Sequence, residues 1–281
     1  MPATPSDPAT IDALASFLHG RRVAVLTGAG CSTDSGIPDY RGPDGTLRTR
    51  EPMRYQVFMG SDEARRRYWS RSMVGWRRFR QARPNDAHRA LAAMERAGLL
   101  SGVITQNVDG LHQAAGSRTV VDLHGTLDRV RCTACSAAVS RDAMQSRLEA
   151  ANRPLTAAPS RYVADGDAEI PDAAAEGFVV PGCADCGGIL KPDVVFFGES
   201  VPKPWVEDAW RTYEAGDALL VVGSSLTVFS GRRFVLRATR EGKPVAVVNL
   251  GRTRADDEVA LKVDAPVGVA LPGVAAALGA A

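Results

Sequence analysis

Apolar residues come in short runs separated by longer amphipathic stretches. Val23 to Leu26, Val103-Ile104, Val120-Val121, Ala218 to Val222 and Val245 to Val248 are brief apolar segments bounded by glycine or polar residues. Such runs predict buried strands. Between several of them the apolar positions change to helical spacing, as in Ala87 to Ala97 and Pro204 to Glu214. Ile11, Leu14 and Leu18 predict a first helix capped at Thr10 and ending before Gly20, with residues 1–9 as a loose tail. Strands alternating with helices predict an α/β fold: a Rossmann-like parallel sheet.

Two segments break the rhythm. Residues 43–84 are rich in arginine and aromatics, and residues 129–190 carry four cysteines. The expected organisation is a large domain from 1–42, 85–128 and 191–281, with 43–84 and 129–190 forming a smaller module. The Pro-, Ala- and Asp-rich stretch at 151–177 reads as a flexible loop.

Open α/β sheets bind ligands beyond the carboxyl ends of their strands. The residues after each predicted strand therefore matter most. They are Thr27-Gly28-Ala29-Gly30-Cys31-Ser32, Thr105-Gln106-Asn107-Val108-Asp109, Asp122-Leu123-His124-Gly125, Gly223-Ser224-Ser225 and Asn249-Leu250-Gly251. Gly28-Ala29-Gly30 looks like a dinucleotide turn leading into a helix, although Thr33 replaces the third glycine of that fingerprint. A tight strand–helix turn is the plainer reading. No acidic residue closes a second strand about 20 residues on, which disfavours an ordinary dehydrogenase. Of the four histidines, only His112 and His124 fall at this edge, and either is a candidate general base. Cys31 stands at the expected helix N-terminus, where a thiol pKa falls; packing within the turn is the alternative.

Five cysteines are present, and four form the pairs Cys132-x-x-Cys135 and Cys183-x-x-Cys186. In a chain without a secretory signal this pattern points to metal. Four thiolates fill a tetrahedral zinc site and leave no open position, so the expected ion is one structural Zn²⁺.

Charge and composition narrow the remaining choices. Charged residues are 23% and hydrophobic residues 45%, which excludes disorder and fibrous classes. The net charge of +2 gives no general nucleic-acid footprint. The segment Arg65 to Arg83 is strongly basic and interleaved with Tyr68, Trp69, Trp76 and Phe79. It reads as an anion pocket, a nucleic-acid patch or an arginine-rich solvated helix with an aromatic inner face. The uncharged tail from Ala265 comes nearest to a membrane span but is interrupted by Pro266, Pro272 and glycines. The N-terminus matches neither a secretory signal nor a transit peptide. The expectation is a cytoplasmic monomer without membrane or nucleic-acid partners.

These motifs together resemble the sirtuins, the NAD-dependent protein deacylases. The resemblance rests on Gly28-Ala29-Gly30-Cys31-Ser32 through Ile37-Pro38-Asp39-Tyr40-Arg41, then Gln106-Asn107-Val108-Asp109, Leu123-His124-Gly125, both cysteine pairs, Gly223-Ser224-Ser225 and Val248-Asn249-Leu250-Gly251. It spans about residues 10 to 270. The widely separated cysteine pairs, Arg67-Tyr68-Trp69 and Lys191 to Glu199 look most like the class II branch, which includes the sirtuin-4 type. Cys31 and Gly42 depart from the common pattern.

The resemblance implies that NAD and an acyl-lysine protein substrate bind between the two domains. It implies an NAD site made of Gly28, Ala29, Gly30, Ser32, Thr33, Asp39, Tyr40, Arg41, Gln106, Asn107, Val108, Asp109, Gly223, Ser224, Ser225, Asn249, Leu250, Gly251 and Val267. It implies that His124 is the base, aided by Asn107 and Asp109, and that Val194, Val195, Phe196, Phe197, Gly198 and Glu199 pair with the substrate backbone. The implied products are deacylated lysine, nicotinamide and O-acyl-ADP-ribose; the alternative is protein mono-ADP-ribosyl transfer from the same site. Tyr68 and Arg71 match the Tyr-x-x-Arg spacing with which class III members hold acidic acyl groups. That match predicts a preference for acidic or bulky acyl groups.

Overall fold

The computed structural model describes residues 8–42, 44, 46–48, 52–152, 159, 161–163 and 165–280. The chain opens with α1 (Pro8–Leu18), which buries Leu14 and Leu18, and enters β1 (Val23–Thr27). The helix begins at Pro8, so Thr10 lies inside it and is not its cap. Residues 1–7 of the predicted tail lie outside the described residues. The basic segment forms α2 (Tyr55–Gly60) and α3 (Asp62–Phe79), and α4 (Asp86–Arg96) follows. Ser61 caps α3 by accepting from Ala64 N, and Asp62 and Glu63 place negative charge in its first turn. Next come β2 (Leu100–Thr105), the short α5 (Leu111–Ala114) and β3 (Val120–Asp122). The second insertion supplies β4 (Gly125–Cys132), β5 (Ala138–Ser140), α6 (Arg141–Ala151), β6 (Arg161–Tyr162), β7 (Ala168–Glu169) and β8 (Leu190–Val194). The chain returns through α7 (Lys203–Glu214), β9 (Ala218–Val222), α8 (Phe229–Glu241), β10 (Val245–Val248), β11 (Leu261–Val263) and α9 (Val267–Ala277).

Six strands form one sheet in the order β11-β10-β9-β1-β2-β3. Every pairing in it is parallel. The chain builds outward from β1 to β3, then restarts on the other side of β1 with β9. The order reverses between β1 and β9, which is where open sheets form a ligand crevice. Strands β1, β2, β9 and β10 are buried along their whole length, as the unbroken apolar runs require.

A second sheet, β5-β4-β8, is antiparallel and belongs to the smaller module. Its core joins both insertions: Phe58, Tyr68, Trp69, Trp76 and Phe79 pack with Val130, Met144, Leu148, Phe178 and Leu190. The same core takes in Ile37, Leu111, Leu127, Val194 and Phe196, from outside the two insertions. Arg141 is buried in it, donating to Ser72 O and to Gln145 Oε1 with its guanidinium over the Trp69 and Trp76 rings.

Two further expectations need correction. The glycine turn after β1 leads into two short 3₁₀ turns, Ala29–Cys31 and Thr33–Ser35, and not into an α-helix. The stretch at 151–177 is not one open loop. Residues 153–158, 160 and 164 lie outside the described residues, but β6 and β7 form a hairpin and Asp172–Ala175 a 3₁₀ turn. Gly75 of α3 explains the packing: a Cβ there would stand 2.1 Å from Gly166 O. The C-terminal tail is α9, which continues through Pro272 and buries Leu271 and Val274. The basic segment is neither an anion pocket nor a bare basic patch: Arg65, Arg67, Arg71, Arg77 and Arg80 pair with Asp62, Glu63, Asp172, Glu149 and Asp142, and the aromatics face inward. Among the described residues no helix is long and apolar enough to cross a membrane.

Candidate active site and metal centre

The turns after β1 and β9 meet at the reversal point. Gly28 N donates to Val222 O and Gly30 N to Gly223 O, at 3.0 and 2.9 Å. A Cβ at Gly28 would meet Ser224 Cβ at 2.8 Å, and one at Gly223, where φ is +60°, would meet Cys31 N at 2.4 Å. The glycines are thus needed first for the approach of two backbone turns. Gln106 bridges them, donating through Nε2 to Thr27 O and to Ser224 Oγ.

A polar network lies beside this contact. Asn107 Nδ2 donates to Gly28 O at 3.0 Å and to Ser32 Oγ at 3.1 Å. Ser32 Oγ donates in turn to Asp109 Oδ2 at 2.6 Å, and Leu111 N donates to Asp109 Oδ1 at 2.9 Å. Burial raises the Asp109 carboxyl above the ordinary range, while the Ser32 and Leu111 hydrogen bonds pull it down. Val108 anchors the same loop by accepting from Leu127 N.

His124 follows β3 directly. Its Nδ1 lies 3.0 Å from Gln106 O and its Nε2 2.7 Å from Ser230 Oγ. The carbonyl can only accept, so Nδ1 carries the proton and Nε2 presents its lone pair. Burial, with Arg233 as a smaller cause, lowers the His124 pKa to about 4 against the opposing bond to Gln106. The imidazole is neutral at pH 7 and competent as a base. His112 is excluded from that role. It is buried, its Nε2 lies 3.0 Å from Thr27 Oγ1, and its ring lies against His88, which caps α4 with Asn85. Cys31 is fully buried, and burial, Asp109 and Asp34 push its thiol far up, which agrees with packing within the turn and not with a nucleophile. Without an α-helix after the turn, no helix N-terminus lowers it.

Thr33 Oγ1 donates to Gly30 O, and Asp39 pairs with Arg48 at 2.9 Å. Tyr40 lies edge-on to Phe197, and Arg41 bridges to Leu47. Ser225 Oγ lies 3.1 Å from Thr227 Oγ1. Asn249 turns its amide to Leu250 O and Gly251 O, Gly251 N donates to Asp264, and Val267 is buried at the start of α9.

The segment after β8 lies beside His124, since Val195 N donates to His124 O at 2.8 Å. Phe197 is 43% exposed, whereas Phe196 is buried. Tyr68 and Arg71 are placed otherwise. Tyr68 is buried between Phe58, Trp69 and Phe196, and Arg71 donates to Asp172 at 2.7 Å.

Cys132, Cys135, Cys183 and Cys186 converge, with all four sulfurs within 4.8 Å of one another. Cys132 and Cys186 sulfurs lie 3.5 Å apart, and Cys135 and Cys183 sulfurs 3.7 Å apart. Tetrahedral Zn–S bonds require about 3.8 Å between sulfurs. All five cysteines are free thiols. The two pairs form matched knuckles: Ser136 N donates to Cys132 O and Gly187 N to Cys183 O, with φ of 63° and 72° at those residues. The donor set fits one structural zinc ion.

The Sir2 family model matches residues 28–230. The chain belongs to the Sir2 family. An NAD-dependent protein deacetylase of Bordetella bronchiseptica is 55% identical over 257 residues, 91% of this chain and 94% of that protein. NAD-dependent protein deacetylase 1 of Streptomyces coelicolor is 52% identical over 280 residues, 99% of this chain and 94% of that one. Among solved structures, a Sir2 with a p53 peptide and NAD+ superposes with a TM-score of 0.78 at 31% identity, covering 96% of this chain and 99% of that one. A Sir2 histidine-to-alanine variant with deacetylated p53 peptide and 3′-O-acetyl ADP ribose gives 0.78 at 32% identity, covering 96% and 98%.

Sequence reasoning missed Ser230, the partner of the base. Its setting, Val228-Phe229-Ser230-Gly231, carries no local signal. Only the fold brings α8 against the loop after β3.

Proposed function

We propose that this Sir2-family chain is an NAD-dependent protein lysine deacylase. The carrying observation is His124, whose tautomer is set by Gln106 O and whose Nε2 lone pair accepts from Ser230, with Gln106 leading directly into Asn107 of the Ser32–Asp109–Asn107 network. In this reading NAD is a substrate. Its glycosidic bond to nicotinamide breaks as the acyl oxygen attacks the ribose carbon. The ionised Asp109 stabilises the cationic ribose, and His124 Nε2 takes a proton from a ribose hydroxyl so that the acyl group moves to the sugar. Water then adds to the acyl carbon as its bond to the lysine nitrogen breaks, and lysine and O-acyl-ADP-ribose leave. The Val194 to Glu199 segment holds the substrate backbone as an added strand. Zinc, held by the four cysteines, ties the smaller module together and takes no part in the reaction.

The class II affiliation and a bulky-acyl preference belong to the same proposal. A cavity of about 230 Å3, lined by Ile37, Pro38, Phe79, Tyr162 and Asp167 among others, lies two residues along the chain from Tyr40. An acidic acyl group meets a competitor, because Asp172 already occupies Arg71. The test is nicotinamide release and acyl loss from a panel of acetyl-, lipoyl- and glutaryl-lysine peptides, beside His124→Ala. Matched release and acyl loss, abolished in the variant, support the deacylase. Label from NAD retained on protein without acyl loss would instead mean ADP-ribosyl transfer. If Arg71→Ala leaves glutaryl turnover equal to wild type, the acidic-acyl reading is wrong.

A further inference from the structure

The residue facing the base is the unexplained feature of the site. Ser230 lies in the first turn of α8, and its Oγ is 2.7 Å from His124 Nε2. Because Nδ1 is spent on Gln106 O, Nε2 has only a lone pair to offer, and Ser230 must donate. The hydroxyl is held in turn by its backbone: Ser230 O accepts from Arg233 Nε at 3.0 Å. The next residue, Gly231, has no room for a Cβ, which would meet Gln106 Oε1 at 2.5 Å. Thus α8 is fitted against the Gln106–His124 unit at two consecutive positions.

We propose that Ser230 is a positioning residue for the base, holding His124 Nε2 toward the substrate hydroxyl and reversing its hydrogen bond when the proton arrives. This rests on His124 being the base. The proton balance is simple. Before transfer Ser230 O–H donates to the Nε2 lone pair. The arriving ribose hydroxyl displaces that donor and gives its proton to the freed Nε2 lone pair, and Ser230 Oγ, its own O–H turned aside, becomes an acceptor of the new Nε2–H. A hydroxyl can do both, whereas a methyl group can do neither. The charged group facing His124 is Arg233, also from α8, which opposes the imidazolium; the facing dipole is the Gln106 carbonyl, which favours it. Ser230 lies between these two influences.

The experiment is the pH dependence of acetyl-peptide deacylation by the full chain, for wild type, Ser230→Ala and Ser230→Thr. Ser230→Ala is expected to lower kcat about tenfold with KM for NAD and peptide within about twofold. Its acidic limb should move to lower pH, since the charge-assisted bond from Nε2–H to Ser230 Oγ, which favours the imidazolium, is the stronger of the two lost bonds. Ser230→Thr keeps the hydroxyl and should restore most of kcat. Unchanged kcat in Ser230→Ala, equal losses in both variants, or an unmoved acidic limb would each overturn the proposal. Wild-type turnover that survives His124→Ala would overturn the assignment of the base itself, which is a separate failure.

Discussion

Ser32 Oγ and Asp109 Oδ2 are 2.6 Å apart, and the hydroxyl that donates across that distance also accepts from Asn107. Asp109 thus holds its orientation through a residue of the first glycine turn. Its burial and its hydrogen bonds act in opposite directions, and burial is the larger. The site keeps a carboxylate where charge develops while making its ionisation harder than in water.

This gives a pH prediction with a definite sign. Asp109 must be ionised to stabilise a cationic ribose, so kcat/KM should rise with pH through an acidic limb above the ordinary carboxylate range. Ser32→Ala removes a bond to the ionised form and should move that limb to higher pH. Asp109→Asn should lower kcat on the order of a hundredfold with a smaller effect on KM. Nicotinamide release measured from pH 5 to 9 checks both. A limb indifferent to Ser32→Ala would show that the hydrogen bond does not tune the carboxyl.

The buried His88 and His112, with the partly buried His124, give a second prediction. Burial lowers His88 and His124 to about 4 and His112 to about 3. Their imidazole resonances should therefore stay in the neutral position from pH 8 to 5.5. Because their folded pKa values lie below the unfolded value, the unfolded chain binds more protons below about pH 6.5. These groups therefore cost stability as pH falls from there toward 4, at up to roughly 1.4 kcal/mol per pH unit each. Raised carboxyls such as Asp109 and Asp167 act with the opposite sign in the same window. The contribution is read by difference: the pH slope of urea stability in His88→Gln against wild type. Equal slopes would mean that His88 titrates alike folded and unfolded.

Much of this arrangement was legible in the chain, for a physical reason. Residues at strand ends must serve a crevice if the sheet is parallel, so Gly28, Asn107, Asp109, His124, Gly223 and Asn249 could be marked from local pattern alone. The cysteine pairs were legible because metal geometry constrains spacing. Other features depend on contacts distant in sequence. Nothing around Cys31 signals 3₁₀ turns where a helix was expected; the helix gives way to the close packing of Gly30 on Gly223. The α9 helix was hidden because Pro272 and glycines weaken its pattern, while packing against α1 and α4 overrides propensity. Local pattern left His112 and His124 equal, and only the resemblance chose His124; what local pattern lacked is that His112 is buried with its Nε2 against Thr27 Oγ1.

The cysteine cluster predicts how the protein responds to metal loss. The cluster joins β4 to the segment before β8, and these two strands pair with each other. Removing the ion would leave four thiols within 4.8 Å and free the knuckles. Purified protein should carry one zinc per chain. Cys186→Ser, or treatment with a strong chelator, should lower Tm on the order of 10 °C and expose the 129–190 segment to protease. Metal-free protein that keeps its Tm would remove the structural role.

His124, the proposed base, and the proposed peptide-pairing segment are also linked mechanically, through Val195 N and His124 O at 2.8 Å. What shapes that segment is a buried ion pair. Lys191 Nζ lies 3.0 Å from Glu199 Oε2 and also donates to Val194 O, while Phe196 N donates to Glu199 Oε2 at 2.8 Å. The Lys191 ammonium faces the Phe196 ring at 4.7 Å, so one lysine fixes both ends of the turn that presents Phe197. Glu199→Gln should leave a buried ammonium without its counter-charge, lower Tm by several degrees and raise the peptide KM about tenfold, with the KM for NAD little changed. The double variant Lys191→Met with Glu199→Gln separates shape from stability. An apolar replacement of a buried pair recovers stability, so Tm should return, yet the turn has lost its anchor and the peptide KM should stay high. A double variant that regained both would show that the pair serves only folding.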